Sequence, residues 1–182
     1  MSRKIGIIAG SLRKGAYTKS VAKAVQDMFP KGWEVTMIEF DHLPLFSQDY
    51  EEDGQNPASY TAFRNQIGAQ DAFVFVTPEY NRSIPGGLKN ALDVASRPYS
   101  ENKWNGKPAA VISSSIGRIG GFGANHHLRQ VMTFLNMPPV QQPEVYLSEV
   151  QDMLDEQGNL NSPEVRGLLQ SVVDALVKML EK

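Results

Sequence analysis

The chain has 182 residues, a length that favours a single domain spanning residues 1–182. With 41% hydrophobic and 21% charged residues, its composition is that of a folded globular protein rather than of a disordered, collagen-like or coiled-coil chain. The net charge of −2 argues against a nucleic-acid partner, and the absence of cysteine excludes disulfides, thiolate nucleophiles and cysteine-ligated metal centres.

The N-terminal apolar stretch is too short to be a secretory signal. It ends at Ala9, and the polar and charged residues Ser11 and Arg13 follow closely, whereas a signal peptide needs about 7–15 apolar residues and a cleavage site. No segment approaches the roughly 18 apolar residues of a membrane span. We therefore expect a cytoplasmic protein that does not enter a membrane.

Strands and helices are predicted to alternate along the chain, from the positions of apolar residues and of Gly and Pro. In chain order, the predicted elements are a strand at 5–9, a helix whose apolar face runs from Val21 to Phe29, a strand at 33–40, a loop at 42–57, a helix at 58–69, a strand at 72–76, a helix at 86–96, a strand at 109–113, a helix at 124–136, a strand at 145–147 and a last helix. Ser162 is the predicted N-cap of the last helix, with Pro163 in its first position. Such alternation predicts an α/β fold, a parallel sheet with helices on both faces.

Three loops are candidates for a binding site. Ligands of such folds bind at the carboxyl ends of the strands, near the point where the strand order reverses. The loops 10–18, 77–85 and 113–123 each follow an apolar strand. We therefore expect them to lie close together at one edge of the sheet.

The first of these loops leads into a helix N-terminus, where backbone N–H groups and the helix dipole favour an anion. Ser11 and Thr18 supply hydroxyl groups, and Arg13 supplies a guanidinium. A phosphate is therefore the expected ligand. The alternative interpretation is an ordinary polar turn with exposed basic side chains.

The glycine spacing of this loop does not match two common nucleotide-binding motifs. Gly10 and Gly15 have the spacing of a P-loop, but Ala16 and Tyr17 stand where that motif needs Lys and Ser or Thr. The Gly-x-Gly-x-x-Gly of dinucleotide-binding folds is absent. Glu39 stands at the end of the second strand, where such folds have an acidic residue that binds the ribose, but without the glycines it is interpreted as a solvated strand end. What remains is a mononucleotide phosphate loop of the flavodoxin type.

The second loop suits the polar edge of a planar heterocycle. Pro78 and Pro85 stiffen it, Tyr80 supplies a flat face, and Glu79 and Asn81 supply donors and acceptors. The alternative is a tight connection with an exposed Tyr.

The third loop is rich in small residues that let a ligand approach the backbone, although this signal is weak by itself.

Several motifs occur in the order in which one protein family has them. They are Gly10-Ser11-Leu12-Arg13-Lys14-Gly15, Thr77-Pro78-Glu79-Tyr80-Asn81, Pro85-Gly86-Gly87-Leu88-Lys89-Asn90-Ala91, the Ser-Ser-x-Gly-x-x-Gly-Gly of residues 114–121, and His127-Leu128-Arg129-Gln130. By these motifs the sequence resembles the NAD(P)H-dependent FMN reductases over almost its whole length. This flavodoxin-like family includes chromate, quinone and azo-dye reductases.

The resemblance implies the fold, the cofactor and the reaction. The fold would be a flavodoxin-like three-layer sandwich with a five-stranded parallel sheet in the order 2-1-3-4-5. FMN would be the cofactor, NADPH or NADH the electron donor, and a quinone, azo compound, chromate or free flavin the acceptor. Hydride would pass from the nicotinamide to flavin N5 without a catalytic side chain. The family also implies a homodimer or homotetramer.

The same resemblance implies roles for individual residues. The FMN phosphate would be held by Ser11, Arg13, Lys14, Gly15, Ala16, Tyr17 and Thr18. The isoalloxazine would be lined by Pro78, Glu79, Tyr80 and Asn81, while Ser115 and Gly117 would contact the ring or the ribityl chain. Family members often carry Ser-x-Asn where this chain has Ala16-Tyr17-Thr18, so one hydroxyl donor is lost and we expect looser FMN binding.

Other functions are left open by the residues themselves. A flavodoxin-type electron carrier tends to be strongly acidic, unlike this nearly neutral chain. A non-catalytic FMN-binding sensor would show no steady-state NAD(P)H turnover, and a plain NAD-binding module would need the glycine motif that is missing. A metal site formed by His126 and His127 is disfavoured, because adjacent helical residues cannot face one point.

Overall fold

The computed structural model describes residues 2–181 and contains one sheet of five parallel strands in the order β2-β1-β3-β4-β5. The strands are β1 (Lys4–Ala9), β2 (Glu34–Met37), β3 (Ala72–Pro78), β4 (Ala109–Ser114) and β5 (Val145–Leu147). The helices are α1 (Tyr17–Gln26), α2 (Asp49–Glu52), α3 (Ala58–Gly68), α4 (Gly86–Ala95), α5 (Phe122–Phe134) and α6 (Pro163–Leu180), and short 3-10 turns occur at Tyr99–Glu101 and Val150–Met153. The predicted fold class and the implied strand order are both confirmed.

The three central strands, β1, β3 and β4, are buried on both faces, and their sequences are therefore nearly continuous runs of apolar residues. Helices α1 and α6 cover one face of the sheet, where Val21 and Leu169 belong to the same apolar cluster. Helices α3, α4 and α5 cover the other face, where Phe73 and Trp104 are fully buried. The result is a three-layer arrangement with the sheet in the middle.

The second strand is shorter than the predicted span 33–40. Only Glu34–Met37 pairs with β1. Ile38 and Phe40 are nevertheless buried in the apolar cluster of α3 and α4. The apolar pattern therefore continues past the end of the strand, because that pattern reports burial and not strand pairing.

The segment 42–57 was predicted as a loop, but it contains the short helix α2 and is anchored to α3. The guanidinium of Arg64, which is buried, donates to Glu51 Oε1 at 2.8 Å and to the carbonyl oxygen of Val94 at 2.8 Å. The hydroxyl of Tyr60 donates to the carbonyl oxygen of Leu45 at 2.8 Å. Contacts between such distant positions are not visible to a local pattern.

Helix α6 begins where the sequence predicts, since Ser162 Oγ accepts from the backbone N–H of Val165 at 3.3 Å and Pro163 is the first helical residue. Helix α5 begins two residues earlier than predicted, directly after Gly121, whose φ is 78°. Within residues 2–181, no helix is long and apolar enough to cross a membrane.

Candidate functional site

The loops that follow β1, β3 and β4 meet in one cavity of about 410 Å³ at the carboxyl ends of these strands. Its lining residues are Ser11, Arg13, Ala16, Tyr17, Thr18, Pro78, Glu79, Tyr80, Ser114, Ser115, Ile116 and Val150. The strand order reverses between β1 and β3. The cavity thus lies at the place where open α/β sheets bind their ligands.

Most of the residues predicted for the site line this cavity, and these are Ser11, Arg13, Ala16, Tyr17, Thr18, Pro78, Glu79, Tyr80 and Ser115. The lining contributed by the described chain does not include Lys14, Gly15, Asn81 or Gly117. Sequence reasoning missed Ser114, Ile116 and Val150. Ser114 and Ile116 lie within a motif that was already recognised, but Val150 follows β5 and no local signal marks it.

Two buried hydroxyl groups line the cavity beside the start of α1. Ser11 Oγ accepts from the backbone N–H of Arg13 at 3.4 Å. Thr18 is only 1% exposed, and its Oγ1 has no hydrogen-bond partner among residues 2–181. A buried hydroxyl without a partner is unfavourable, so a ligand oxygen that pairs with it removes that cost. Ala16, the N-cap residue of α1, has no polar side-chain atom, so the backbone N–H groups of Tyr17 and Thr18 can also donate to an anion.

The guanidinium of Arg13 folds back over its own loop. Its Nη2 donates to the carbonyl oxygen of Gly15 at 2.6 Å, and its Cζ lies 5.5 Å from the centre of the Tyr17 ring. The side chain lines the cavity in this position. A positive charge, two hydroxyl groups and a helix N-terminus together form a donor set that fits the phosphate of FMN.

Tyr80 connects the second loop to the first. Its hydroxyl lies 3.2 Å from Ser11 Oγ, and its ring remains half-exposed at the cavity. An exposed aromatic face beside phosphate-type donors suits a ligand that has both a planar ring and a phosphate.

The glycines of the third loop are required by the packing of the chain itself. Gly120 and Gly121 have φ of 61° and 78°. A Cβ on Gly120 would lie 2.8 Å from the carbonyl carbon of Tyr146, and one on Gly121 would lie 3.0 Å from Ser113 Cβ. Tyr146 is itself partly buried, its hydroxyl lies 3.0 Å from His126 Nε2, and burial, followed by the nearby Glu144 carboxylate, raises its pKa to about 12.

A second cavity of about 740 Å³ lies between α4 and α5. Its lining residues are Ser83, Ile84, Gly86, Lys89, Asp93, Ser96, His127, Gln130, Val131, Phe134 and Leu135. It is larger than the first cavity, but it lies beside the helices rather than at the ends of the central strands. Among residues 2–181, no group of three His, Asp or Glu side chains is placed to hold a metal ion.

The sheet order and a mononucleotide-type cavity between β1 and β3 define a flavodoxin-like protein. A flavodoxin from Pseudomonas aeruginosa has a similar fold, with a TM-score of 0.58 and 20% sequence identity over 96% of this chain and 99% of that one. At this level of identity the similarity shows the fold alone.

The family follows from the sequence comparison, because residues 3–152 match the profile described as NADPH-dependent FMN reductase, and the chain belongs to that family. A quinone reductase from Pseudomonas putida is 46% identical over 170 residues, which are 93% of this chain and 90% of the relative. A 2-hydroxy-1,4-benzoquinone reductase from a Burkholderia species is 42% identical over 174 residues, which are 96% of this chain and 94% of the relative. FerB, a flavoenzyme NAD(P)H:(acceptor) oxidoreductase from Paracoccus denitrificans, has a TM-score of 0.89 and 34% identity over 98% of this chain and 97% of its own.

The chain is thus an oxidoreductase of the NAD(P)H-dependent FMN reductase type, with FMN as its cofactor and NAD(P)H as its electron donor. These relatives are named as enzymes, so a non-catalytic electron carrier or sensor is not favoured.

Proposed function

We propose that this chain, acting as one domain, catalyses the two-electron reduction of quinones by NADH or NADPH. The observation that carries the proposal is the first cavity, in which the anion-binding donors of one loop and the flat ring of Tyr80 line the same space. The names of the Pseudomonas putida and Burkholderia relatives support the quinone class. When bound, FMN supplies the hydride and electron chemistry that no side chain can provide.

In this proposal the first loop binds the phosphate of FMN. Ser11, Arg13 and Thr18 donate to the phosphate oxygens, together with the first backbone N–H groups of α1. Pro78 and Tyr80 line the ring, and Ser115 contacts the ring or the ribityl chain. Lys14, Gly15, Asn81 and Gly117 belong to the same loops, and we propose them as further cofactor-binding residues although they are not among the residues that line the cavity.

The rim of the cavity favours an aromatic acceptor. Tyr80 and Ile116 line the cavity and leave large apolar surfaces exposed. Leu12, in the first loop, is also an exposed apolar residue. Exposed apolar side chains beside a ligand cavity provide contact area for a planar, uncharged substrate such as a quinone.

The test is a comparison of electron acceptors with the purified protein. Flavin absorbance should be retained, or gained on adding FMN, with FMN preferred over FAD because the chain has one compact phosphate loop. Oxidation of NADH and NADPH should then be fastest with a benzoquinone and slower with an azo dye, chromate or free flavin. Absence of flavin binding, or absence of turnover with all four acceptors, overturns the proposal. Faster turnover with another acceptor overturns the quinone assignment alone.

We also propose that the chain forms a homodimer or homotetramer in the cytoplasm, where NAD(P)H is supplied. Phe134 is 84% exposed and lines the second cavity, and Tyr99 is exposed close to it. Clustered exposed aromatic side chains are typical of association surfaces. Sedimentation should give a dimer or tetramer for the wild type and a smaller species for Phe134→Ser, and a monomeric wild type contradicts the assembly. Cell fractionation tests the location.

A further inference from the structure

The loop after β3 ends in a two-residue hairpin turn. The backbone N–H of Tyr80 donates to the carbonyl oxygen of Ser83 at 2.9 Å, and the backbone N–H of Ser83 donates to the carbonyl oxygen of Tyr80 at 3.0 Å. The two residues between them, Asn81 and Arg82, have φ of 51° and 67°. Positive φ at both central positions is the type I′ geometry, and it is unfavourable for a residue such as Arg. Such a turn persists only where the surrounding contacts hold it.

The carboxylate of Glu79 supplies contacts of this kind. Its side chain is 11% exposed, and Oε2 accepts from the backbone N–H of Ala124 at 3.1 Å. Ala124 lies in the first turn of α5, where N–H groups lack intrahelical partners and the helix dipole favours a negative charge. The other oxygen, Oε1, accepts from Arg82 Nη1 at 3.2 Å.

The hairpin and the start of α5 are in close contact at Gly123. A Cβ at this position would lie 2.9 Å from Glu79 Oε2 and 2.9 Å from the carbonyl oxygen of Arg82. A residue without a side chain is therefore needed here for the carboxylate to reach the helix. Ser83 makes a second contact with α5, because its Oγ lies 2.9 Å from His127 Nδ1.

We propose that Glu79 is a positioning residue, whose carboxylate holds the loop 78–83 against the N-terminus of α5 and thereby sets the position of Tyr80 in the cofactor cavity. The carboxylate is engaged by Ala124 and Arg82, so we assign it this positioning role in addition to its place in the lining of the cavity. The part of this proposal that concerns flavin rests on the proposed function.

The two hydrogen bonds of the Glu79 carboxylate contribute unequally to holding the loop 78–83 in place. Arg82 is 72% exposed, so water screens its ion pair with Glu79. The hydrogen bond to Ala124 instead joins partly buried groups at a helix terminus. We therefore expect Glu79→Gln, which keeps an oxygen acceptor, to restore most of what Glu79→Ala loses, and Arg82→Ala to resemble the wild type.

The experiment measures FMN and riboflavin affinities by flavin fluorescence for the wild type and these variants. Glu79→Ala should raise the dissociation constants of both ligands by the same factor, roughly 2- to 30-fold, because both contain the ring. It should also change the visible circular dichroism of the bound flavin, which a loss of stability alone does not do. Glu101→Gln is the matched control, since Glu101 pairs with Lys103 outside both the loop 78–83 and α5.

Hydrogen exchange tests the same contact without flavin. Glu79→Ala should speed exchange of the backbone amides of Ser83 and Ala124 in the flavin-free protein, and Glu79→Gln should leave them slow. If Glu79→Ala does not fold, Glu79→Met, which has a similar length and no oxygen, takes its place in both measurements.

The outcomes separate this proposal from the proposed function. A wild type that binds no flavin refutes the proposed function, while hydrogen exchange still decides whether Glu79 holds the loop. Unchanged exchange and unchanged affinities in Glu79→Ala overturn the positioning role. A loss of FMN affinity without a loss of riboflavin affinity also overturns it, because the effect would then lie at the phosphate. So does a Glu79→Gln variant that behaves like Glu79→Ala.

Discussion

Arg13 is the one guanidinium of the first loop, and its side chain lines the cofactor cavity beside α1. A charge-assisted hydrogen bond contributes about 1.5–3 kcal/mol, so Arg13→Ala should raise the FMN dissociation constant roughly 10- to 150-fold. High salt should weaken FMN binding more in the wild type than in the variant, because the lost interaction is electrostatic. Riboflavin lacks the phosphate and serves as the control ligand in fluorescence titrations. An equal loss for both ligands would mean that Arg13 supports the fold or the ring instead.

Replacing Thr18 with Val should raise the stability of the flavin-free protein and at the same time weaken FMN binding. Its buried hydroxyl has no partner among residues 2–181, and an unpaired buried polar group costs about 1–3 kcal/mol. Thr18→Val should therefore raise the free energy of unfolding of the flavin-free protein by about 1 kcal/mol. It should also weaken FMN binding roughly 2- to 15-fold, because a hydrogen bond to the phosphate is lost.

Urea unfolding and FMN titration measure the two effects of Thr18→Val. Thr133→Val is the control, because the hydroxyl of Thr133 is exposed and already donates to the carbonyl oxygen of Arg129 at 2.9 Å. If Thr18→Val loses stability and keeps its FMN affinity, the hydroxyl does not face the phosphate.

Tyr146 should make stability depend on pH at the alkaline end. Burial, followed by the nearby Glu144 carboxylate, raises its pKa from the usual 10.0 to about 12 in the folded chain. Between these two values the unfolded state has lost the proton and the folded state retains it, so stability falls as pH rises from 10 to 12. Below pH 10 both states are protonated and the contribution is fully present.

Tyr146→Phe removes this part of the pH dependence. Unfolding free energies measured on both sides of pH 10 should therefore fall less steeply in Tyr146→Phe than in the wild type. Tyr99→Phe, at an exposed ring, is the control and should retain the wild-type slope. An identical slope in all three proteins would place the alkaline transition in another group.

At the scale of elements, the Ser162 N-cap at the start of α6 allows a measurement of how much one local sequence signal contributes to the free energy of unfolding. Ser162 accepts a hydrogen bond from Val165, and this helix covers the face of the sheet together with α1. Ser162→Ala should lower the free energy of unfolding by about 1 kcal/mol, the usual cost of a lost N-cap. Urea unfolding measures the change, and FMN affinity should stay the same because α6 does not line the cofactor cavity.

The control for this prediction is in the same helix. Ser171→Ala removes a hydroxyl that donates to the carbonyl oxygen of Gly167 at 2.9 Å on an exposed face. Such back-bonding within a helix slightly disfavours it, so this variant should be neutral or slightly more stable. An equal loss of unfolding free energy in both variants would show that the N-cap hydroxyl of Ser162 contributes no more than the hydroxyl of Ser171.

For the whole molecule, the position of the site in one cavity predicts the kinetic scheme. Under the proposed function, the electron donor and the acceptor share the one cavity formed by the three loops, so they should bind in turn. Initial rates at several acceptor concentrations should give parallel double-reciprocal lines, the pattern of a ping-pong mechanism. Intersecting lines would show that both substrates are bound at once.

Local sequence signals were sufficient for most elements and for the location of the site. Burial of both faces of β1, β3 and β4 requires uninterrupted apolar runs, and these runs are visible without knowledge of the fold. The N-cap Ser162 is equally local. The three candidate loops were identified because each follows such a run, and the parallel arrangement brings them to one edge.

The sequence by itself determined the alternation of strands and helices, the family and the three loops of the site, because these depend on neighbouring residues and on motifs of fixed spacing. Only the tertiary structure decided which way each polar side chain turns. It directs Glu79 to the start of α5, leaves the Thr18 hydroxyl without a partner among residues 2–181, and brings Val150 to the cavity. It also forms α2, whose Glu51 pairs with Arg64. The physical reason is that each of these contacts depends on packing between residues far apart in the chain, which no local periodicity encodes.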